Sequence, residues 1–299
     1  MSATHARKKP FLRLATAAVA MVAALGMAAC SGGAASSSSS SGAQVGDRTP
    51  EQIQEAGEIV IGIFSDKAPF GYIDADGKPA GYDVVYGDRI AADLGVTAKY
   101  VPVDAAARTE VLASNKVDIT LANFTVTPER AEKVDFANPY FKVSLGVVSP
   151  TSAEITDVSE LAGKTLIVTK GTTAEAYFEA NHPEAKLLKF DQYSDAYQAL
   201  EDGRGDAFST DNTEVIAWAI AHPGFSVGIK SLGETSYIAA AVKKGNTALL
   251  DWLNNQLVEL GEEDFFHKDY EQTLAPVYGD AATPDDLVVE GGVDTTSTN

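Results

Sequence analysis

Arg130 and Asp211 could together bind the two charges of a small zwitterion. Arg130 ends the segment Thr-Pro-Glu-Arg at residues 127–130, which predicts a helix start with Thr at the N-cap and Pro in the first turn. A cation there opposes the helix dipole, and a bound carboxylate would relieve that conflict. The alternative is a solvated surface arginine. Asp211 precedes another predicted helix, where it could bind an ammonium or act only as an N-cap.

A third polar segment, Gly-Thr-Thr at residues 171–173, opens a further predicted helix. Its backbone N–H groups and hydroxyls form a corner suited to an anion, although a plain N-cap would use the same residues. An anion site beside a cation site suits an α-amino acid, which carries both charges. Three aromatic residues could cover an apolar part of such a ligand: Phe70, Tyr72 and Phe124.

These segments follow predicted strands in a pattern of alternating strands and helices. Strands are predicted at residues 59–64, 98–103, 117–121, 165–168, 187–190, 207–210 and 237–242, and helices at 82–94, 108–114, 173–181, 194–201, 212–221 and 248–261. This alternation indicates an α/β fold with mostly parallel sheets, in which ligands bind outside the carboxyl ends of strands. The pattern restarts after residue 150, so we interpret the chain as two α/β lobes.

Composition excludes several classes of function. The 299 residues include 23 Lys and Arg against 42 Asp and Glu, a net charge of −19, which argues against a nucleic-acid-binding protein. The single cysteine excludes an intrachain disulfide and a multi-cysteine metal site, and four histidines leave little for a histidine-rich one. No nucleophile–histidine arrangement or metalloprotease motif is present, so we expect no catalytic residues, no metal and no cofactor.

The N-terminus carries the features of an export signal. Residues 1–29 combine a positively charged start with an uncharged run too short to span a membrane, which predicts a signal peptide. Cys30 follows Gly-Met-Ala-Ala and resembles the lipidated cysteine of a bacterial lipobox, with Met27 where Leu is usual. A membrane anchor, or an ordinary signal peptide with an unmodified cysteine, are the alternatives. Ser- and Gly-rich residues 30–50 predict a flexible tether, and residues 293–299 a disordered tail.

Several short motifs in order resemble the extracellular solute-binding proteins of family 3, the polar amino-acid receptors of ABC importers. They are Gly-Tyr-Asp-Val at 81–84, the Thr-Pro-Glu-Arg segment, and the segments at 134–140, 170–174 and 205–208. The resemblance runs from about Glu58 to Gly291. Val85 departs from the family pattern, which has an acidic residue there.

The resemblance implies a two-lobed clamp of the type II periplasmic-binding-protein fold. Each lobe would be a mostly parallel sheet flanked by helices, and two hinge strands would join the lobes. Lobe 1 would comprise residues 51–145 and 240–292, and lobe 2 residues 146–239, with hinges near 145–149 and 239–242.

The resemblance also assigns the binding of the ligand's carboxylate. Arg130 would grip it together with the backbone and hydroxyl of Thr125 and with Thr172 or Thr173, beside Gly171.

For the other end of the ligand, Asp211 and the carbonyl of Asn123 would take the α-ammonium. Asp66, Phe70 and Tyr72 would line the wall of the first lobe.

Ligand identity is the finer question. Arg108 lies in a segment that resembles receptors for acidic amino acids, where the arginine faces the ligand's side chain. The segments at 62–67, 121–125 (with Asn123 and Phe124), 265–268 and 288–292 are similar to cysteine-binding lipoprotein receptors of this family. Cysteine is therefore the first expectation, cystine the second, and glutamate or aspartate the third.

We therefore expect an exported, monomeric receptor, lipid-anchored at the outer face of the cytoplasmic membrane. It would bind a free amino acid and deliver it to a permease and ATPase. Alternatives of another class are a surface adhesin, a sensor input domain, and a periplasmic dehydratase of the prephenate type, which shares the fold.

Overall fold

The computed structural model describes residues 43–294. The strands are β1 Glu58–Ile63, β2 Asp66–Lys67, β3 Gly71–Ile73, β4 Pro79–Ala80, β5 Thr97–Pro102, β6 Ile119–Thr120, β7 Val134–Pro150, β8 Thr165–Thr169, β9 Lys186–Phe190, β10 Ala207–Asp211 and β11 Phe225–Lys243. The helices are α1 Pro50–Ala56, α2 Tyr82–Leu94, α3 Arg108–Ala113, α4 Pro128–Ala131, α5 Thr173–Asn181, α6 Tyr193–Glu201, α7 Asn212–Ala221, α8 Thr247–Glu262, α9 Phe265–Thr273, α10 Ala275–Tyr278 and α11 Pro284–Leu287. The predicted signal peptide and Cys30 lie outside the described residues.

Eight strands form one sheet in the order β5-β1-β6-β11-β7-β10-β8-β9. The three strands at one end and the three at the other pair in parallel, and β11 and β7 run antiparallel to their neighbours in the middle. Strands β2, β3 and β4 form a small separate antiparallel sheet. This arrangement confirms the predicted α/β class, with helices flanking mostly parallel strands.

The two long central strands carry the chain between the lobes. Strand β11 pairs with β6 of lobe 1 at residues 241–242, and β7 pairs with β10 of lobe 2 at residues 145–148. The predicted hinge segments therefore lie inside the sheets of the lobes. Each strand passes from one lobe to the other at an earlier residue, about where Val143 of β7 pairs with Ser236 of β11. A register shift between Leu232 and Ser236 lies next to this point.

Helices pack one face onto the sheet in each lobe, and a further cluster of buried residues, which includes Phe64 and Tyr193, joins the two lobes. In lobe 1, α2 buries Tyr82, Tyr86 and Ile90, and the C-terminal α8 buries leucines spaced three or four residues apart: Leu249, Leu253, Leu257 and Leu260. Lobe 2 packs Phe178 of α5 against Leu166 and Val168 of β8. Lobe 1 is thus discontinuous in sequence.

The first described residues pack onto lobe 1. Arg48 forms a buried ion pair with Asp118, whose carboxylate also accepts the backbone N–H groups of Gly46 and Val60 at 3.0 and 2.8 Å. Helix α1 then begins at Pro50, capped by the side chain of Thr49. The tether predicted for residues 30–50 was therefore wrong at its end, because an ion pair holds residues 46–50 against the fold.

Residues 293–294 of the predicted disordered tail have defined positions, and residues 295–299 lie outside the described residues. Asp294 accepts a hydrogen bond from the Tyr237 hydroxyl at 2.7 Å and lies 3.7 Å from the ammonium of Lys142. These contacts hold residue 294 against the two central strands, so the prediction was wrong for residues 293–294. Within residues 43–294, every helix is too short or too polar to cross a bilayer.

Candidate functional site

The cleft between the lobes contains two cavities, of about 590 Å³ and about 300 Å³. The larger one is bordered by Arg108, Phe124, Arg130, Gly171 and Thr172, and the smaller one by Asp211 and the crossing strands. Thr173 lines both cavities. Arg130, expected to hold the carboxylate, therefore borders one cavity, Asp211, expected to hold the ammonium, borders the other, and the two cavities share Thr173.

Arg130 occupies the first turn of α4, where the Thr127 hydroxyl accepts its backbone N–H at 3.2 Å. Its guanidinium donates to the carbonyls of Thr125 at 2.7 Å and Gly171 at 2.9 Å, and it lies over the ring of Phe124. Burial, and then the nearby Arg108, lower the pKa of Arg130 to about 9. A carboxylate beside the guanidinium would offset both effects, so the surroundings of Arg130 favour an anion.

Arg108 is buried and engaged with backbone carbonyls. Its guanidinium donates to the carbonyls of Ala105, Ala122, Asn123 and Gly171 at 2.9–3.2 Å. Little of its hydrogen-bonding capacity remains for a ligand's side chain. Arg108 therefore connects loops of lobe 1 to the backbone of Gly171 in lobe 2, a structural role that was not predicted from the sequence.

The Gly-Thr-Thr corner brings the backbone of lobe 2 against lobe 1. Gly171 has φ of 73°, and a Cβ atom there would lie 2.4 Å from Cα of Ala106, so only glycine fits. The Thr172 hydroxyl donates to the Thr169 carbonyl and accepts the Glu175 N–H, so it caps α5. Thr173, whose hydroxyl is not needed for the cap, is the residue of this corner that faces both cavities.

Asp211 binds the ammonium of Lys67, a residue that was not predicted to belong to the site. Its Oδ2 atom accepts a hydrogen bond from the Lys67 ammonium at 2.7 Å. The same ammonium lies 2.9 Å from Oδ1 of Asn123 and 3.1 Å from Oε2 of Glu214. The available signal was the position of Lys67 just beyond β1, but a lysine there more often reaches into solvent.

Asn123 is held in the left-handed region, with φ of 42°, by a buried carboxylate. Asp83 accepts its backbone N–H at 2.6 Å and the hydroxyl of Tyr140 at 2.6 Å. Burial raises the pKa of Asp83 to about 6, against the effect of these hydrogen bonds. The Asn123 carbonyl, expected to take the ligand's ammonium, already accepts Arg108 at 3.1 Å.

The three predicted wall residues have different surroundings. Asp66 crosses the cleft, where its carboxylate accepts the backbone N–H of Ser194 at 3.1 Å. Phe70 is fully buried in the core of lobe 1, edge-on to the ring of Phe141, and its ring centre lies 5.8 Å from the ammonium of Lys67, so its role as a wall residue stays a prediction. Tyr72 is half-buried in the small sheet, paired with Asp66.

Comparison with known proteins gives a consistent set of matches. The sequence model of the bacterial extracellular solute-binding proteins, family 3, matches residues 59–274. Among curated relatives, the ABC transporter glutamine-binding protein GlnH of Bacillus subtilis is 28% identical, covering 74% of this chain and 83% of its own length. The L-cystine-binding protein TcyJ of Escherichia coli K12 is 26% identical, covering 71% and 80%.

Two solved structures are more similar in sequence. A solute receptor for L-cysteine from Neisseria gonorrhoeae is 50% identical with a TM-score of 0.80, covering 81% of this chain and 100% of its own. A cysteine-binding protein from Campylobacter jejuni is 50% identical with a TM-score of 0.79, covering 81% and 98%.

Proposed function

Because this chain belongs to the bacterial extracellular solute-binding proteins of family 3, we propose that it captures free L-cysteine between its lobes and delivers it to an ABC importer. The family and its relatives are amino-acid receptors and not enzymes, so binding is its function. Closure of the two lobes around the ligand is the mechanism we propose.

One observation supports this proposal most directly: Arg130 and Asp211 border two cavities of the interlobe cleft that share Thr173. A guanidinium at one end and a carboxylate at the other match the two charges of an α-amino acid. Arg130 and Thr173 would bind the carboxylate, and the Asp211 oxygen that Lys67 does not use would bind the ammonium.

Cysteine is favoured over acidic ligands by the surroundings of Arg108. Four backbone carbonyls already accept its hydrogen bonds, so a ligand carboxylate would have to displace a protein acceptor. The two receptors at 50% identity are named for cysteine, whereas the relatives named for glutamine and cystine are 28% and 26% identical.

We also propose that the protein is exported and held to the outer face of the cytoplasmic membrane by lipid on Cys30. The lipobox-like residues before Cys30 support this. Two acyl chains on one sulfur would give stable attachment, where a single chain is marginal. Mass spectrometry of the protein purified from its own membranes would detect a diacylglyceryl group on Cys30, and an unmodified cysteine or an uncleaved N-terminus would contradict it.

Calorimetric titration of the chain from residue 31 onward tests the ligand. The twenty standard amino acids and cystine would be compared with and without a reductant. We expect tight binding of cysteine alone. Binding of glutamate or aspartate instead would support an amino-acid receptor in which Arg108 contacts the side chain of the ligand. Binding of none of them would overturn the proposed function and favour an adhesin or a sensor domain.

A further inference from the structure

Lys67 makes a set of contacts that joins the two lobes. It belongs to β2 of lobe 1, and its ammonium has one acceptor in that lobe, Oδ1 of Asn123. The other two acceptors, Oδ2 of Asp211 and Oε2 of Glu214, belong to lobe 2. An ammonium has three N–H donors, so each donor has one acceptor.

The ammonium of Lys67 is buried inside the protein, unlike the ammonium of a surface ion pair. The side chain of Lys67 is 1% exposed, and its ammonium lies 4.9 Å from the ring centre of Tyr193 and 5.6 Å from that of Phe64. Burial by itself lowers the pKa of Lys67, but Asp211 and Glu214 raise it by more, so the lysine stays charged. A charge buried this deeply is stable only while its partners remain in place.

The two carboxylates of lobe 2 are held at the start of α7. Glu214 is fully buried and accepts hydrogen bonds from the hydroxyls of Tyr197 at 3.0 Å and Thr210 at 3.2 Å. Asp211 precedes the helix and borders the smaller cavity, and one of its carboxylate oxygens accepts a hydrogen bond from Lys67. The Asp211 oxygen that Lys67 does not use is available to the α-ammonium of a ligand.

We propose that Lys67 is a positioning residue that links the lobes in the closed form and turns the second oxygen of Asp211 toward the ligand's ammonium. The part of this proposal that concerns the ligand rests on the proposed function. The link between the lobes does not, because all of its atoms belong to the protein. Lys67 therefore favours closure even without ligand, and its loss both opens the unliganded protein and weakens binding.

Lys67→Met tests the proposal, because it keeps the length of the side chain and removes the charge. Lys99→Met, at a lysine that is 60% exposed, is the matched control. We expect Lys67→Met to weaken cysteine binding about thirtyfold or more, as for loss of one partner of a buried charge pair, and Lys99→Met to leave it unchanged. Binding by Lys67→Met that equals or exceeds wild type would overturn the proposal, and tighter binding would mean that Lys67 competes with the ligand.

A distance measurement separates positioning from mere loss of stability. The chain from residue 31 has no cysteine, so Lys116→Cys in lobe 1 and Asp202→Cys in lobe 2, both exposed, accept thioether-linked spin labels. Double electron–electron resonance measures the distance between the two labels in the unliganded protein. We expect a shorter and narrower distance distribution when Lys67 is present than in the Lys67→Met variant. Equal distributions would overturn the link between the lobes, even if no amino acid binds.

Glu214→Gln is the second variant, in case Lys67→Met does not fold. It keeps the shape of the site and removes one of the charges that hold Lys67, at a residue absent from the lining of either cavity. We expect the same change in the distance distribution, smaller in extent. A wild-type distribution in Glu214→Gln would count against the proposal.

Discussion

Arg108 and Arg130 donate hydrogen bonds to the same carbonyl oxygen, that of Gly171, at 3.2 and 2.9 Å. Both arginines belong to lobe 1, and the carbonyl belongs to lobe 2. Two guanidinium groups this close repel each other, and the shared acceptor reduces that repulsion only while the lobes are together. Separation of the lobes would remove the shared acceptor and so increase the repulsion between the two arginines.

Gly171→Ala should interfere with closure. Its Cβ atom would lie 2.4 Å from Cα of Ala106, on the opposite lobe. Gly163→Ala is the matched control, because Gly163 has a similar φ of 77° but an added Cβ would meet nothing within 4 Å. Both variants carry the cost of a left-handed alanine, about 1–2 kcal/mol. Calorimetry should show weaker ligand binding for Gly171→Ala alone, and equal affinities would contradict a close approach of the lobes.

Arg130→Ala should weaken amino-acid binding severely while the fold remains intact. Loss of one partner of a buried charge pair costs about 2–5 kcal/mol, which raises a Kd of about 1 μM to between about 30 μM and several millimolar, and binding is no longer detectable at the upper end of this range. Lys133→Ala, an exposed lysine near the same cavity, should bind as wild type does. Titration calorimetry gives the affinities, and circular dichroism checks the fold. Binding by Arg130→Ala within about threefold of wild type would refute its role as carboxylate anchor.

Asp83→Ala should destabilise the protein as well as weaken binding. The change removes the acceptor of the Asn123 N–H and of the Tyr140 hydroxyl, both buried, and each unsatisfied group costs about 1–3 kcal/mol. Urea unfolding followed by circular dichroism measures the loss. Asp88→Ala, an exposed carboxylate on the same helix, should cost about 1 kcal/mol or less. Similar losses for the two variants would contradict the role of Asp83.

Asp269→Asn should change how stability depends on pH. Asp269 is buried with one carboxylate oxygen unpaired, and burial raises its pKa from 3.8 to about 9. The unfolded chain releases this proton near pH 4 and the native state near pH 9, so wild type loses stability as the pH rises between them. The Asn variant lacks that loss, and its advantage should grow by at most about 1.4 kcal/mol per pH unit.

Urea unfolding at pH 5 and pH 8 measures this difference. The contributions of Asp83 and Glu214, whose raised pKa values also lower stability as the pH rises, are common to both proteins and cancel. Asp251→Asn, at an exposed position on α8, should show no such trend. A constant difference between wild type and Asp269→Asn would show that Asp269 does not titrate in this range.

Local signals predicted the helices of lobe 2 well and the long strands poorly. Helices α5 and α7 have the predicted bounds. The Thr172 hydroxyl caps α5, whereas Asp211 precedes α7 without capping it, because its carboxylate binds Lys67. Strand β11 runs over 19 residues, whereas only residues 237–242 were predicted. Its first part is polar and half-exposed, and it forms a strand because β7 runs beside it, a tertiary effect that no local pattern contains.

The candidate site shows the same division. Arg130 and Asp211 lie at the cleft because the ends of strands meet there, which the alternating pattern indicates. Their roles toward a ligand stay predictions. Lys67 was missed because its burial depends on Asp211 and Glu214, which are far away in sequence. The burial of Phe70 was not predicted either, because Phe141, which packs against it, is distant in sequence.

The ion pair between Arg48 and Asp118 fixes where mechanical load enters the molecule. Asp118 belongs to lobe 1, just before β6, and the neighbouring Asp47 pairs with Lys243 at the lobe 1 end of β11, so a pull on the N-terminal segment enters the molecule through lobe 1. With the proposed anchor on Cys30 and the proposed closure of the lobes, lobe 1 would be the stationary half of the receptor and lobe 2 the moving half.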